Sequence, residues 1–244
     1  MHTILKLLLA GEGGQGIQSI AEILAEAANA EGKEALYIPN FGVEQRGGIS
    51  MAYLQITETG QKIGAPKFEL ADILIALSSR AIAKTKHHAG VDTIYVYDNS
   101  LIEATHVNDQ IIGLQYFEST PPCPTNQPEV KIGEEDVGDN KSAAYYEKSK
   151  VSVQDIPRNV KKVVAIPAND IAKEELNPRV FNIMILGAVI AVTKILPISS
   201  IEKALEEKLR DKFEKNPKLK ELNQKALMRG YTLVESLLKG EKNG

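Results

Sequence analysis

The chain has 244 residues, 43% of them hydrophobic and 25% charged, enough to bury one sizeable core without demanding a second. Its formal net charge of -3 and pI near 5.9 supply no basic field for nucleic acid or an anionic membrane. Cys123 is the only cysteine, which excludes an intrachain disulfide and any cluster held by four thiolates of this chain.

The N-terminal run through Ala10 has a faint signal-peptide character, but Lys6 interrupts it and a glycine-rich loop follows at once, so a first core strand over residues 4–10 is expected. Ile17, Ile20, Ala21, Leu24 and Ala28 then recur at helical spacing until Gly32. "EALYIPN" predicts a second strand, and "ISMAYLQIT" with "QKI" around the turn "ETG" predicts a hairpin. "DILIALS", "TIYVYD" and "KKVVAIPA" predict further strands, with a helix through "RAIAKTKHHAG" between the first two. Strands alternating with helices give an α/β fold, a three-layer domain with a mainly parallel sheet and a helical C-terminal part.

From Asn169 the chain reads as wholly helical. "NDIAKEEL" opens this part, and "VFNIMILGAVIAV" is too short to span a bilayer, so it is expected to be a buried helix. Ser199 with Glu202 has the capping-box spacing for the next helix, and Asn216 before Pro217 places a capping side chain ahead of a first-turn proline. Between the two halves, Glu118 to Ser142 holds four prolines, six acidic and two basic residues, a composition for an irregular surface excursion. A single domain over residues 1–244 with an irregular insertion at about 102–160 is the expectation, in a cytoplasmic protein.

Gly11, Gly13 and Gly16 match G-x-G-x-x-G between a strand and a helix, where backbone amides can receive a phosphate. A dinucleotide also needs an acidic residue near the end of the second strand, and that strand ends in Pro39 and Asn40. The same glycines serve equally as a tight turn packing helix on strand. Gly14 and Gln15 complete the loop, the amide of Gln15 being suited to a ligand or a neighbouring chain. A second constellation joins Glu44, Arg46, Gly47 and Gly48, in which Arg46 can clamp a phosphate or carboxylate, pair with Glu44, or meet a partner chain. His87 and His88 are adjacent at a predicted helix end, expected to be solvated with diverging side chains and no metal-ligand spacing. Asn182, inside the apolar helix, is expected to bond a neighbouring backbone or to fix register at an assembly surface. No nucleophile-elbow pattern occurs, and no catalytic residue is assigned.

With these motifs in hand, the chain resembles the gamma subunit of the 2-oxoacid:ferredoxin oxidoreductases, the pyruvate and 2-oxoglutarate enzymes among them. "GEGGQGI", "FGVEQRGG", "DILIAL", "VVAIPANDIAKEEL", "NIMILGAVIA" and "NQKALMRGY" stand in the order that family uses. The resemblance implies a multisubunit enzyme that oxidatively decarboxylates a 2-oxoacid with coenzyme A to acyl-CoA while reducing ferredoxin. It also implies alpha and beta partner subunits, with a delta subunit in some assemblies, that carry thiamine diphosphate, magnesium and iron–sulfur clusters. Under it the isolated chain is inactive, binds no metal of its own, and uses Gly11 to Gly16 and Glu44 to Gly48 at an interface or toward coenzyme A. A nucleotide-binding regulatory module and an NAD-dependent dehydrogenase are the alternatives.

Overall fold

The computed structural model describes residues 4–41, 48–100, 104–105, 148–149 and 156–240. The first strand, β1 (Leu5–Glu12), runs into the glycine loop and α1 (Ile17–Ala30), and β2 (Glu34–Asn40) and β3 (Ile49–Thr57) follow. Next come β4 (Ala71–Ala76), α2 (Ser79–Thr85) and β5 (Ala89–Asp98), then a small pair, β6 (Ala104–Thr105) with β7 (Lys148–Ser149), and finally β8 (Lys162–Ile166). The rest is helical: α3 (Ala168–Glu175), α4 (Phe181–Thr193), α5 (Ile198–Lys208), α6 (Arg210–Lys215) and α7 (Pro217–Gly240).

Six strands form one sheet in the order β2-β3-β1-β4-β5-β8. The pairs β1–β4, β4–β5 and β5–β8 are parallel, whereas β3 lies antiparallel between β2 and β1. The mainly parallel α/β fold is therefore present, with an antiparallel edge. Its cause is connection length: the few residues between β2 and β3 can join only antiparallel neighbours, while parallel pairs need a long crossover. The expected hairpin of "ISMAYLQIT" with "QKI" is absent. Gln61 instead sits in a turn, its N–H donating to Glu58 O at 3.3 Å and its side-chain oxygen accepting from Thr57 Oγ1 at 2.6 Å.

The unbroken apolar run of β1 follows from burial on both sides of the sheet. Leu7 and Leu9 enter a large core with Ile20, Leu24 and Ala27 of α1 and with α4, whereas Leu8 and Ala10 face Leu74, Tyr95 and, from α2, Ala81 and Ile82. The two covers are unequal, since the second face receives only the short α2 among the described helices. The step from β4 to β5 is a right-handed crossover that puts α2 on that second face. Ile156 and Val160, ahead of β8, pack against the cluster on this face.

Helix α4 has nine buried residues, Ile183 to Ala191, and no polar face. No helix among the described residues is long and apolar enough to cross a membrane, and α4 finds its apolar surroundings against the sheet and α7. A Cβ built on Gly187 would fall 1.9 Å from Leu227 O, and one on Gly230 would fall 1.9 Å from Met184 O. The two helices thus cross backbone against backbone, possible only with glycine on each side.

Two local expectations are corrected. The Ser199 and Glu202 capping box does not form: α5 begins at Ile198 after an extended Pro197, which leaves Ser199 inside the first turn without a side-chain cap. The neighbouring Ser200 hydroxyl donates to Glu31 at the end of α1. His87 and His88 do not diverge either. Lys86–His88 form a 3-10 turn, the two rings lie 4.2 Å apart, and His88 is buried. Its Nδ1 is 2.5 Å from Glu69 O, which can only accept, and its Nε2 is 3.5 Å from the Tyr53 hydroxyl. The contact with Glu69 O places a proton on Nδ1.

Burial holds the pKa of His88 below its ordinary 6.5, with the charge of His87 adding to the effect and the Glu69 carbonyl opposing it. The unfolded chain therefore takes up a proton near pH 6.5 that the folded chain refuses until lower pH. The contribution of His88 is complete above that value and is lost as pH falls toward the folded pKa. Thermal unfolding midpoints should drop from pH 7 to pH 5 more steeply in the wild type than in His88→Asn; equal slopes would show that His88 carries no pH dependence.

A candidate interface around the glycine loop

Strand β1 delivers Glu12 to the carboxyl end of the sheet, and the chain then turns through Gly13 and Gly14 into α1. Gly14 and Gly16 have φ of +95° and +77°, which only glycine adopts cheaply, and Gly16 occupies the N-cap position of α1 without a side-chain bond. Gly11 has another task. A Cβ there would stand 2.7 Å from Gln15 Oε1 and 2.9 Å from Ile17 Cγ1, so its bare backbone lets Gln15 fold back over the strand.

The folded-back Gln15 is fully employed. Its Oε1 accepts the Glu12 N–H at 2.7 Å and its Nε2 donates to Leu77 O, beyond the end of β4, at 3.1 Å. The Gln15 N–H donates to Glu12 O at 3.1 Å, and the Gly13 N–H donates to Gly48 O at 3.1 Å. Three loop amides that a phosphate would need are thus bonded within the chain. The Gln15 amide, suited by its chemistry to a ligand or a neighbouring chain, is here a brace between adjacent strand ends.

The bond from Gly13 to Gly48 brings the two glycine-containing motifs side by side. Glu44, Arg46 and Gly47 lie outside the described residues. Gln18 ties the first turn of α1 to β3, donating to Ser50 Oγ at 2.7 Å and Met51 O at 3.0 Å, while Tyr37 OH donates to Gln18 Oε1 at 2.5 Å. Asn182 closes the loop from the other side. A Cβ on Gly16 would lie 2.2 Å from Asn182 Nδ2, and Asn182 Oδ1 accepts the Ile183 N–H at 2.9 Å. The third glycine is therefore where α4 touches the loop.

Glu12, the last residue of β1, has Ser78 and Arg80 at the start of α2 as its electrostatic neighbours. Burial raises the pKa of Glu12, opposed by the charge of Arg80 and a hydrogen bond from Ser78, and Glu12 Oε1 is buried without a hydrogen-bond partner.

Sequence reading missed a second self-filled position. Asp98, 1% exposed at the end of β5, accepts the Ser100 N–H at 2.9 Å and the Asn169 N–H at 3.2 Å, and Ser100 Oγ accepts the Asp170 N–H at 3.0 Å. The start of α3 is capped by residues about seventy positions earlier. Burial pushes the carboxyl pKa of Asp98 up while these amides draw it back. Asp-x-Ser after a strand hints at a local turn, but its helical partner cannot be read from that stretch. Among the described residues no group of three His, Cys, Asp or Glu side chains could hold a metal ion.

The model of the family described as "Pyruvate ferredoxin/flavodoxin oxidoreductase" matches residues 6–233. The chain is 31% identical over 210 residues, 85% of its length, to the Pyrococcus abyssi pyruvate/ketoisovalerate oxidoreductases common subunit gamma, covering 89% of that protein. It spans only 38% of the ketoisovalerate oxidoreductase subunit VorA of Methanothermobacter marburgensis, which is 25% identical over 97% of this chain. In the 2-oxoglutarate:ferredoxin oxidoreductase of Magnetococcus marinus, 96% of this chain matches 31% of a longer chain, with a TM-score of 0.65 and 21% identity. The last likeness is one of fold.

Proposed function

Because this chain belongs to the pyruvate ferredoxin/flavodoxin oxidoreductase family and is of its gamma type, we propose that it serves as a subunit, without a catalytic centre of its own, of a cytoplasmic 2-oxoacid:ferredoxin oxidoreductase. The complex would convert a 2-oxoacid and coenzyme A into acyl-CoA and carbon dioxide, passing electrons to ferredoxin. Thiamine diphosphate and magnesium would supply carbanion chemistry, and iron–sulfur clusters electron transfer, on alpha, beta and delta-type subunits. In this chain the Glu12, Gly13 and Gln15 amides are already bonded internally, and its single cysteine cannot supply the four thiolates of a cluster, so these groups are assigned to the companion subunits.

The observation that carries the reading is the set of bonds from Gly13 to Gly48, from Gln15 to Glu12 and from Gln15 to Leu77, which tie the loop to neighbouring strand ends and support its use as a contact surface. The same bonds, with Asn40 where a ribose acid would stand, count against a dehydrogenase or a nucleotide-binding module. Gly11, Gly13, Gly14, Gln15, Gly16, Glu44, Arg46, Gly47 and Gly48 are accordingly proposed as interface-forming, in one gamma-type unit over residues 1–244 that carries its excursion at about 102–160.

Arg46→Ala tests this. The isolated fold should be unchanged, while assembly with companion subunits should weaken by about 2–5 kcal/mol, the cost of truncating one partner of a desolvated charged contact. Co-purification yield and the apparent affinity for coenzyme A separate the readings. Normal assembly with lowered coenzyme A affinity would make Arg46 a phosphate contact, and no change in either would remove it from function.

A further inference from the structure

The most exposed large hydrophobic side chain among the described residues is Phe41, at 67%. It follows β2 directly. Asn40 lies opposite Met51 on β3, and Ser50 lies opposite Gly11 on β1, so Phe41 emerges at the sheet end that carries the glycine loop. Two strand spacings put it about 10 Å from that loop. Gly13 and Gly14 are themselves exposed, and a Cβ on Gly14 would meet nothing within 4 Å. An aromatic ring thus stands beside bare, braced backbone, the combination that lets a partner approach closely while burying an aromatic anchor.

The longer relatives indicate what covers it. In the Methanothermobacter and Magnetococcus proteins the gamma-type unit is a minor part of one polypeptide, so the remainder of that polypeptide is already tethered to it. Resting on the subunit reading above, we infer that the separate subunit homologous to that remainder docks on the carboxyl end of this sheet, with Phe41 as its anchor and Gly13 and Gly14 as the flat contact. A rival patch lies at the opposite end, where Leu70 packs over Gly90 beside Val91, the two side chains being 55% and 60% exposed. It lacks an exposed aromatic ring and lies away from the glycine loop.

The experiment uses tagged full-length chain expressed in its native cell, with the companion identified by mass spectrometry as the homologue of the remainder of the longer relatives. Phe41→Glu should weaken companion binding about thirtyfold or more, the equilibrium equivalent of losing an aromatic hot spot, with the unfolding midpoint of the free chain unchanged. Phe41→Ala should act in the same direction and guards against misfolding of the charged variant. Val91→Glu should bind normally. Loss of binding in Val91→Glu with retention in both Phe41 variants would overturn the assignment in favour of the opposite end, and retention in all three would overturn it outright. Both results leave the subunit reading standing, whereas absence of such a companion from the wild-type preparation would defeat that reading itself.

Discussion

Gly230→Ala is expected to destabilise the chain by about 3 kcal/mol or more, at the upper end of what overpacking costs. The added methyl would stand 1.9 Å from Met184 O and 2.7 Å from its carbonyl carbon, so no side-chain rotation relieves it. Helices α4 and α7 must separate, and α4, apolar on every side, loses contact over the length of the crossing. For a domain whose total stability is of order 5–15 kcal/mol, this is a large fraction. Gly187→Ala, which meets Leu227 O at the same distance, should behave alike. Gly64→Ala adds the same methyl where nothing lies within 4 Å and serves as the control. Urea midpoints decide the matter: a Gly230→Ala loss no greater than that of Gly64→Ala would mean that the helices do not cross so closely.

Gly16→Ala should have the next largest effect, and it separates into two parts. At φ +77° an alanine costs about 1–2 kcal/mol in the left-handed region, and the contact with Asn182 Nδ2 adds about 1–3 kcal/mol. The double variant with Asn182→Ala should recover the contact part and leave the backbone part. Additive losses in that cycle would show that α4 does not press on the loop.

What the sequence disclosed depended on whether the cause was local. The run Leu7 to Ala10 marked a strand covered on both faces, and Pro217 marked the start of α7, because each feature acts within its own turn or strand. The insertion of β3 between β2 and β1 was not legible, since period-two patterning says which face a residue occupies and nothing about which strand lies alongside. His88 looked like a polar helix end until Glu69 and Tyr53, distant in sequence, supplied its partners. Ser199 carried a capping pattern that an extended Pro197 displaced by starting the helix first. At the glycine loop the residue types were right and their use was not: Gln15 has the chemistry of a ligand contact, but the missing Cβ at Gly11 turns it inward.

The contact of Asp98 and Ser100 with the first turn of α3 bears on how such a chain diversifies. Together with the pairing of β5 and β8, it clasps the base of the long connection between them, so the ends stay in register whatever their separation along the chain. Each doubling in the length of such a connection costs only about 0.6 kcal/mol in closure entropy. Descendants can therefore lengthen, shorten or rewrite that stretch while the sheet and its glycine loop are inherited intact, which leaves it the part of the protein freest to acquire new sequence.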